Sequence, residues 1–293
     1  MIAEPTTWVR VNRHDPCPVC ESPDWCVVSS TGDVAVCMRV ESQHAIDCGG
    51  AGTGWLHKLS EPIPRYVPPS RPIPRQKLDC GPLLARWREN TKETALGRLS
   101  GRLGVSGDSL ARLGACWAAP YQAWAFPMWS PAGDVIGIRL RSDSRKWAVR
   151  GSRAGLFLPD DGLGELVDTV VVCEGPTDAA AVLDLGYSAI GRPSCTGSVP
   201  ETVELCRHRH AVVMADKDAP KLRPDGSTWE PGKVGAHLLA AALYGEAVSV
   251  KILYPLAGKD VRAWRQAGCT PGAFMSVMRA TAAWKPTVWH GGR

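Results

Sequence analysis

Glu174, Asp216 and Asp218 each stand at the end of a short apolar run. Val170-Val171-Val172-Cys173 leads into Glu174-Gly175-Pro176-Thr177-Asp178, and Val212-Val213-Met214-Ala215 leads into Asp216-Lys217-Asp218. Carboxylates gathered at one point raise one another's pKa, and a divalent cation removes that cost. Oxygen-only donors of this kind suit Mg²⁺, or Mn²⁺ in its place. Asp260, in Gly258-Lys259-Asp260-Val261-Arg262, begins a helix near this acidic cluster. A second group has different chemistry. Cys17-Pro18-Val19-Cys20 is a C-x₂-C knuckle followed by Cys26 and Cys37, a set suited to tetrahedral Zn²⁺ held by thiolates.

The elements that must position these residues follow from the pattern. A continuous Val-rich run reads as a strand buried on both faces, the mark of a parallel sheet. Thr177 to Leu185 reads as a helix with Thr177 as its N-cap, and Ala236 to Leu243 as another. Shorter strands are expected over 188–190 and 248–254, with a helix from Pro200 to Cys206 and a helix starting at Asp260. In open parallel sheets ligands sit at the carboxyl ends of the strands, where Glu174, Asp216 and Asp218 all fall. Lys221 to Lys233 is a polar Gly/Pro loop, readable as a mobile flap or as a neutral insertion. For the cysteines, a two-residue turn at Thr31-Gly32 pairs Ser30 with Asp33 and, counting outward, Cys26 with Cys37. Opposed residues share a face, so these two thiolates can close a site opened by the knuckle. His14 is the rival for the fourth place; His44, Cys48 and His57 are weaker.

An apolar strand ending in Glu-Gly-x-x-Asp, followed about forty residues later by one ending in Asp-x-Asp, resembles the Toprim fold. Glu174, Gly175, Asp178, Asp216 and Asp218 carry that resemblance, and Asp260 lies in a segment similar to the later acidic stretch of the primase branch. The zinc module ahead of it resembles primases of the DnaG and phage type, although it shows one knuckle and two separated cysteines where those ribbons usually have two knuckles. The resemblance implies an α/β Toprim parallel sheet with flanking helices. A small α+β basic subdomain and an N-terminal zinc-ribbon-like β module would precede it. It further implies a DNA primase, a nucleotidyltransferase that synthesises short RNA primers on single-stranded DNA from NTPs with Mg²⁺. Asp216 and Asp218 are then the principal metal ligands, with Asp260 a weaker one, and Glu174 is a ligand or the general base. A Toprim nuclease and a non-enzymatic recombination mediator are the alternatives.

The expected order is a zinc-binding module (1–60), a proline-rich linker (61–76), a basic subdomain (77–165), the Toprim domain (166–268) and a tail (269–293). Helices are expected over 82–90, 96–103 and 109–113, then strands flanking a turn at 131–133 and a third strand over 146–149. Arg139 and Arg141, two apart on one strand, share a face, and Lys146 follows closely. Phe126-Pro127, the turn and the Gly137–Arg141 strand resemble the N-terminal part of a primase core. Arg139, Arg141 and Lys146 are accordingly the candidates for template and nucleotide binding, by bidentate contact or as a point charge. Trp124, Trp129 and Trp147 read as core.

Bulk properties narrow the classes. The 293 residues are 44% apolar and 22% charged, which provides for a sizeable core. The net charge of +5 is uneven: residues 61–160 carry sixteen Lys/Arg against eight Asp/Glu. A basic middle beside an acidic, metal-ready segment fits a polyanionic partner. No apolar run approaches membrane-spanning length, and eleven cysteines without a secretory leader read as ligands and buried thiols in a reducing cytoplasm. No G-x-x-x-x-G-K-[ST] motif is present, so a helicase partner would be a separate chain.

Overall fold

The computed structural model describes residues 7–48, 51–60, 78–164, 168–222 and 227–286. The expected proline-rich linker, 61–76, lies outside the described residues. The chain divides into two compact units, residues 1–74 and 75–293.

The first unit is one antiparallel sheet of β1 (Trp8–Arg10), β2 (Val27–Ser29), β3 (Val34–Cys37), β4 (Ala45–Asp47) and β5 (Thr53–Lys58), in the order β1-β2-β3-β5-β4. Val27 pairs with Val36 and Val28 with Ala35, the register that sets Cys26 opposite Cys37. The connection is longer than expected. Residues 30–33 form the loop, with Gly32 at φ 74° and its N–H on the Ser29 carbonyl. Ser29 Oγ occupies the loop interior, accepting from the backbone N–H groups of Asp33 and Val34, and this leaves no room for a two-residue turn. The buried apolar cluster consists of Val11, Cys17, Cys26, Val28, Ala35 and Cys37, half of it cysteine. So small a core rarely holds a fold without a staple.

The second unit contains two four-stranded sheets. One is antiparallel, in the order β6-β7-β8-β9: β6 (Cys116–Ala118), β7 (Ala123–Trp129), β8 (Val135–Arg141) and β9 (Lys146–Ala148). Before it come three helices, α1 (Cys80–Glu89), α2 (Glu93–Leu103) and α3 (Gly107–Arg112). Asp79 caps α1 and Ser106 caps α3, which starts both helices two residues ahead of their apolar patterns. Trp124 is core, as expected, whereas Trp129 and Trp147 are only partly buried, and Arg145 lies over the Trp147 ring at 4.2 Å.

The other sheet is parallel throughout. Its strands are β10 (Thr169–Glu174), β11 (Ser188–Arg192), β12 (His210–Met214) and β15 (Ser249–Leu253), in the order β11-β10-β12-β15. The connecting helices are α4 (Pro176–Asp184), α5 (Val199–Cys206) and α6 (Pro231–Leu243), and α7 (Val261–Gln266) and α8 (Pro271–Ala280) follow. Alternate residues of β10 enter different cores. Val171 and Cys173 pack with α4, α7 and α8, and Val170 and Val172 pack with α6. Burial of both faces is the reason the run is apolar without alternation.

Two local expectations are corrected. Thr177 is not the N-cap of α4: Gly175 holds that place at φ 83°, a left-handed conformation that suits glycine, and Thr177 is buried in the first turn. The segment 221–233 is not one loop: Lys221–Leu222 (β13) pairs with Thr228–Trp229 (β14), and Lys233 already belongs to α6.

Candidate metal centres and the acidic site

The chain leaves β10 toward β11 on one side and later returns to β12 on the other. The strand order therefore reverses between β10 and β12, and in such sheets the crevice outside that reversal is where ligands bind. Glu174 ends β10, and Asp216 and Asp218 follow β12 directly. Glu174 and Asp216 line one cavity there, together with Arg192, Ser194, Cys195 and Gly232. Helix α6 presses close: a Cβ on Gly232 would overlap the Asp216 carbonyl oxygen, so the helix start seats against the acid only because that position is bare.

The electrostatics are those of crowded acids. Burial, then Asp178 and Glu174, push the Asp216 carboxyl up to about 8. Burial, then Asp260, push Asp178 to about 7, and Asp178 accepts the Arg262 backbone N–H at 3.2 Å. Burial and Asp218 raise Glu174. Asp260 is buried and caps α7, its Oδ1 accepting from the Ala263 N–H at 2.7 Å; its Oδ2 lies 3.9 Å from both Lys259 Nζ and Arg262 Nη2 and would have to be shared with them by a cation. Among the described residues, no three of these acids bring ligand oxygens within 4.8 Å of one another. The donors fit Mg²⁺ in the manner usual for that ion, which takes one or two carboxylates and completes its shell with water and substrate phosphates.

Two sequence candidates sit between the antiparallel sheet and this site. Arg141 Nη1 donates to Thr177 Oγ1 at 3.4 Å, and Lys146 feels the charges of Asp178 and Glu174. Burial lowers the pKa of both cations, and Arg262 lowers Arg141 further as Arg141 lowers Lys146. Arg139 has a different contact: its Nη2 donates to the Pro193 carbonyl at 3.3 Å and so secures the loop after β11. Sequence reasoning missed Arg192 and Lys259. Arg192 pairs with Glu174 across the β10–β11 ladder, and Lys259 adds positive charge near Glu174 and Lys146. The signal for Arg192 was its place at a parallel-strand end; for Lys259 it was adjacency to Asp260.

In the first unit, Cys17, Cys20, Cys26 and Cys37 bring their sulfurs within 4.8 Å of one another. The Cys20–Cys26 and Cys26–Cys37 sulfurs are 3.7 and 3.9 Å apart. Zn–S bonds of about 2.3 Å place tetrahedral sulfurs about 3.8 Å apart, so the spacing fits zinc. Backbone N–H groups of Arg39 and Val40 point at Cys37 Sγ, and that of Met38 at Cys26 Sγ, at 3.3–3.4 Å. Such donors stabilise thiolate charge. His14 is exposed and outside the cluster, and Cys26 completes the set of four sulfurs.

No family model matches the sequence. No curated protein matches it either. Solved structures do. The zinc-binding and RNA polymerase domains of Aquifex aeolicus primase superpose with a TM-score of 0.54 at 12% identity, over 70% of this chain and 60% of that one. A DnaG catalytic core gives 0.52 at 14% identity, over 69% and 79%. A primase domain from Pseudomonas aeruginosa gives 0.51 at 16%, over 69% and 78%. The chain has the fold of the DnaG primase core. The α/β architecture, with its basic antiparallel sheet and Toprim-like parallel sheet, is therefore that expected from the primase resemblance, and the four-cysteine β module stands N-terminal to it. Among the described residues no helix is long and apolar enough to cross a membrane.

Proposed function

We propose that the protein is a DNA primase: it makes short RNA primers on single-stranded DNA by metal-dependent nucleotidyl transfer from NTPs. The observation that carries this reading is the convergence of Glu174 and Asp216, from separate strands, on one cavity at the reversal of the parallel sheet. The primase fold supports it, and a DnaG catalytic domain of that fold is known bound to single-stranded DNA.

In-line attack of a 3′-hydroxyl on an α-phosphate requires nucleophile, phosphate and leaving group in register. A divalent cation at these acids supplies charge neutralisation at the attacking and leaving oxygens. Asp216 and Asp218 would be its principal holders, with Asp260 a weaker one through its Oδ2, which Lys259 and Arg262 already face. Glu174 is placed to join them or to take the proton from the hydroxyl. Arg141 and Lys146, on the neighbouring sheet, hold the phosphates of nucleotide or template. Arg139 positions the loop that walls the site. The four cysteines hold Zn²⁺, which folds the module that meets template DNA. A cytoplasmic setting and a separate replicative helicase complete the proposal.

The test is primer synthesis by the full chain on random single-stranded DNA with labelled NTPs and Mg²⁺. E174Q and D216N should each lose synthesis. Shortening of labelled DNA without NTPs would instead identify a nuclease on the same acids. Wild-type synthesis by both variants would refute the site.

A further inference from the structure

The loop from Arg192 to Ser198 walls the site, but its own side chains have no part in the scheme above. Arg192 ends β11, directly across the ladder from Glu174. The residue is 4% exposed. Its Nε donates to the Gly197 carbonyl at 3.0 Å, which closes the loop on its own first residue. Its Nη2 is fully buried and donates to nothing among the described residues. A guanidinium is never deprotonated in a protein, and a buried N–H of a charged group that lacks an acceptor is costly. Proteins keep such a group where an absent acceptor would complete it.

The surroundings define that acceptor. Arg192 lines the cavity that Glu174, Asp216, Ser194 and Cys195 also line. About 20 Å³ of it would take a water-sized group, inside a space of about 290 Å³ continuous with solvent. One oxygen fits there once a small movement of the Arg192 side chain brings the covered Nη2 to it, and a larger group can extend toward solvent. Among the described residues Arg192 forms no close ion pair with an acid, although its charge and that of Glu174 attract. An oxygen that carries negative charge, belongs to a larger anion and arrives between a guanidinium and a cation-binding acid site is a phosphate oxygen.

We infer that Arg192 is a phosphate-binding residue of the acidic cavity, its free Nη2 receiving a terminal oxygen of the nucleotide's phosphate chain. The inference rests on the nucleotidyl-transfer reading for the identity of the anion's source, and it assigns that source to the nucleotide and not to the template. The nucleotide is the source because its phosphate chain completes the shell of a cation held at Glu174 and Asp216, which line the same cavity.

The experiment uses the full chain and inorganic pyrophosphate with Mg²⁺, read by calorimetry, and needs no synthesis to succeed. R192Q should weaken pyrophosphate binding at least tenfold, and R192K, which keeps the charge without the fork, should fall between. Binding of a single-stranded oligonucleotide should be unchanged in both. Where synthesis is measured, R192Q should raise KM for NTP more than it lowers kcat. Cys195 gives a readout that needs no variant: pyrophosphate should slow its alkylation in the wild-type protein, followed by peptide mass spectrometry. Wild-type pyrophosphate affinity in R192Q, or failure of pyrophosphate to protect Cys195 should R192Q not fold, overturns the assignment. Loss of oligonucleotide binding with unchanged pyrophosphate binding overturns it in favour of a template contact. Absence of primer synthesis with the pyrophosphate results intact would count against the primase reading alone.

Discussion

Arg141 and Lys146 stand directly opposite each other in the β8–β9 ladder, two cations on adjacent strands. Like charges so placed oppose sheet formation. Burial and the charge of Arg141 lower the Lys146 pKa, while Asp178 and Glu174 raise it. The pair is tolerated by virtue of the acids it faces. K146A should therefore leave thermal stability within about 0.5 kcal/mol of wild type or raise it slightly, yet weaken NTP or oligonucleotide binding at least tenfold and flatten its salt dependence. Calorimetric titration at two salt concentrations checks both halves.

Asp216 gives a pH dependence with a definite sign. Its carboxyl titrates near 8 in the metal-free fold, far above an unfolded aspartate. Between those values the folded chain binds the extra proton, so the stability linked to Asp216 is fully present below the unfolded pKa and is lost as pH rises through about 8. Without divalent metal, Tm should fall from pH 6 to pH 8.5, and D216N should flatten that fall. Mg²⁺ competes with the same proton, so its affinity should rise over the interval. Thermal melts with and without Mg²⁺ read both effects.

The cysteine cluster predicts one zinc per chain. Burial pushes the Cys26 thiol up to about 12 and raises Cys17 in the absence of metal, so zinc must displace protons to bind. C26S should lose the metal and unfold residues 7–60, while H14A should retain it. Elemental analysis and the NMR spectrum of the full chain separate these outcomes.

Gly232 offers a steric test of the acidic site. An alanine there must move either α6 or the Asp216 backbone. Overpacking of this kind costs about 1–3 kcal/mol, and the displaced acid should weaken Mg²⁺ binding severalfold. Urea unfolding and metal titration of G232A measure the two effects, and a variant like wild type in both would show that α6 yields freely.

The Val-rich runs and the acids behind them made the parallel sheet and its site legible, because burial on both faces and charge at strand ends leave a local trace. The cysteine register was legible too, since pairing counts outward from the turn even when the loop is longer than expected. Arg192 and Lys259 were not. Their roles depend on which strands become neighbours and which loops face inward, and no periodicity encodes that. Arg139 shows the converse: its shared face with Arg141 was readable, but its bond to the Pro193 carbonyl required the fold. The β13–β14 pair escaped notice because two-residue strands are too short to show alternation.

Strand β10 has a ladder on each edge as far as Val172, continues laddered to β11 through Glu174, and has a packed layer on each face. Its amides can exchange with solvent deuterium only when the whole parallel sheet opens. Glu174 is therefore anchored at the end of what should be the slowest-exchanging segment of the second unit, held there by its ladder to Arg192.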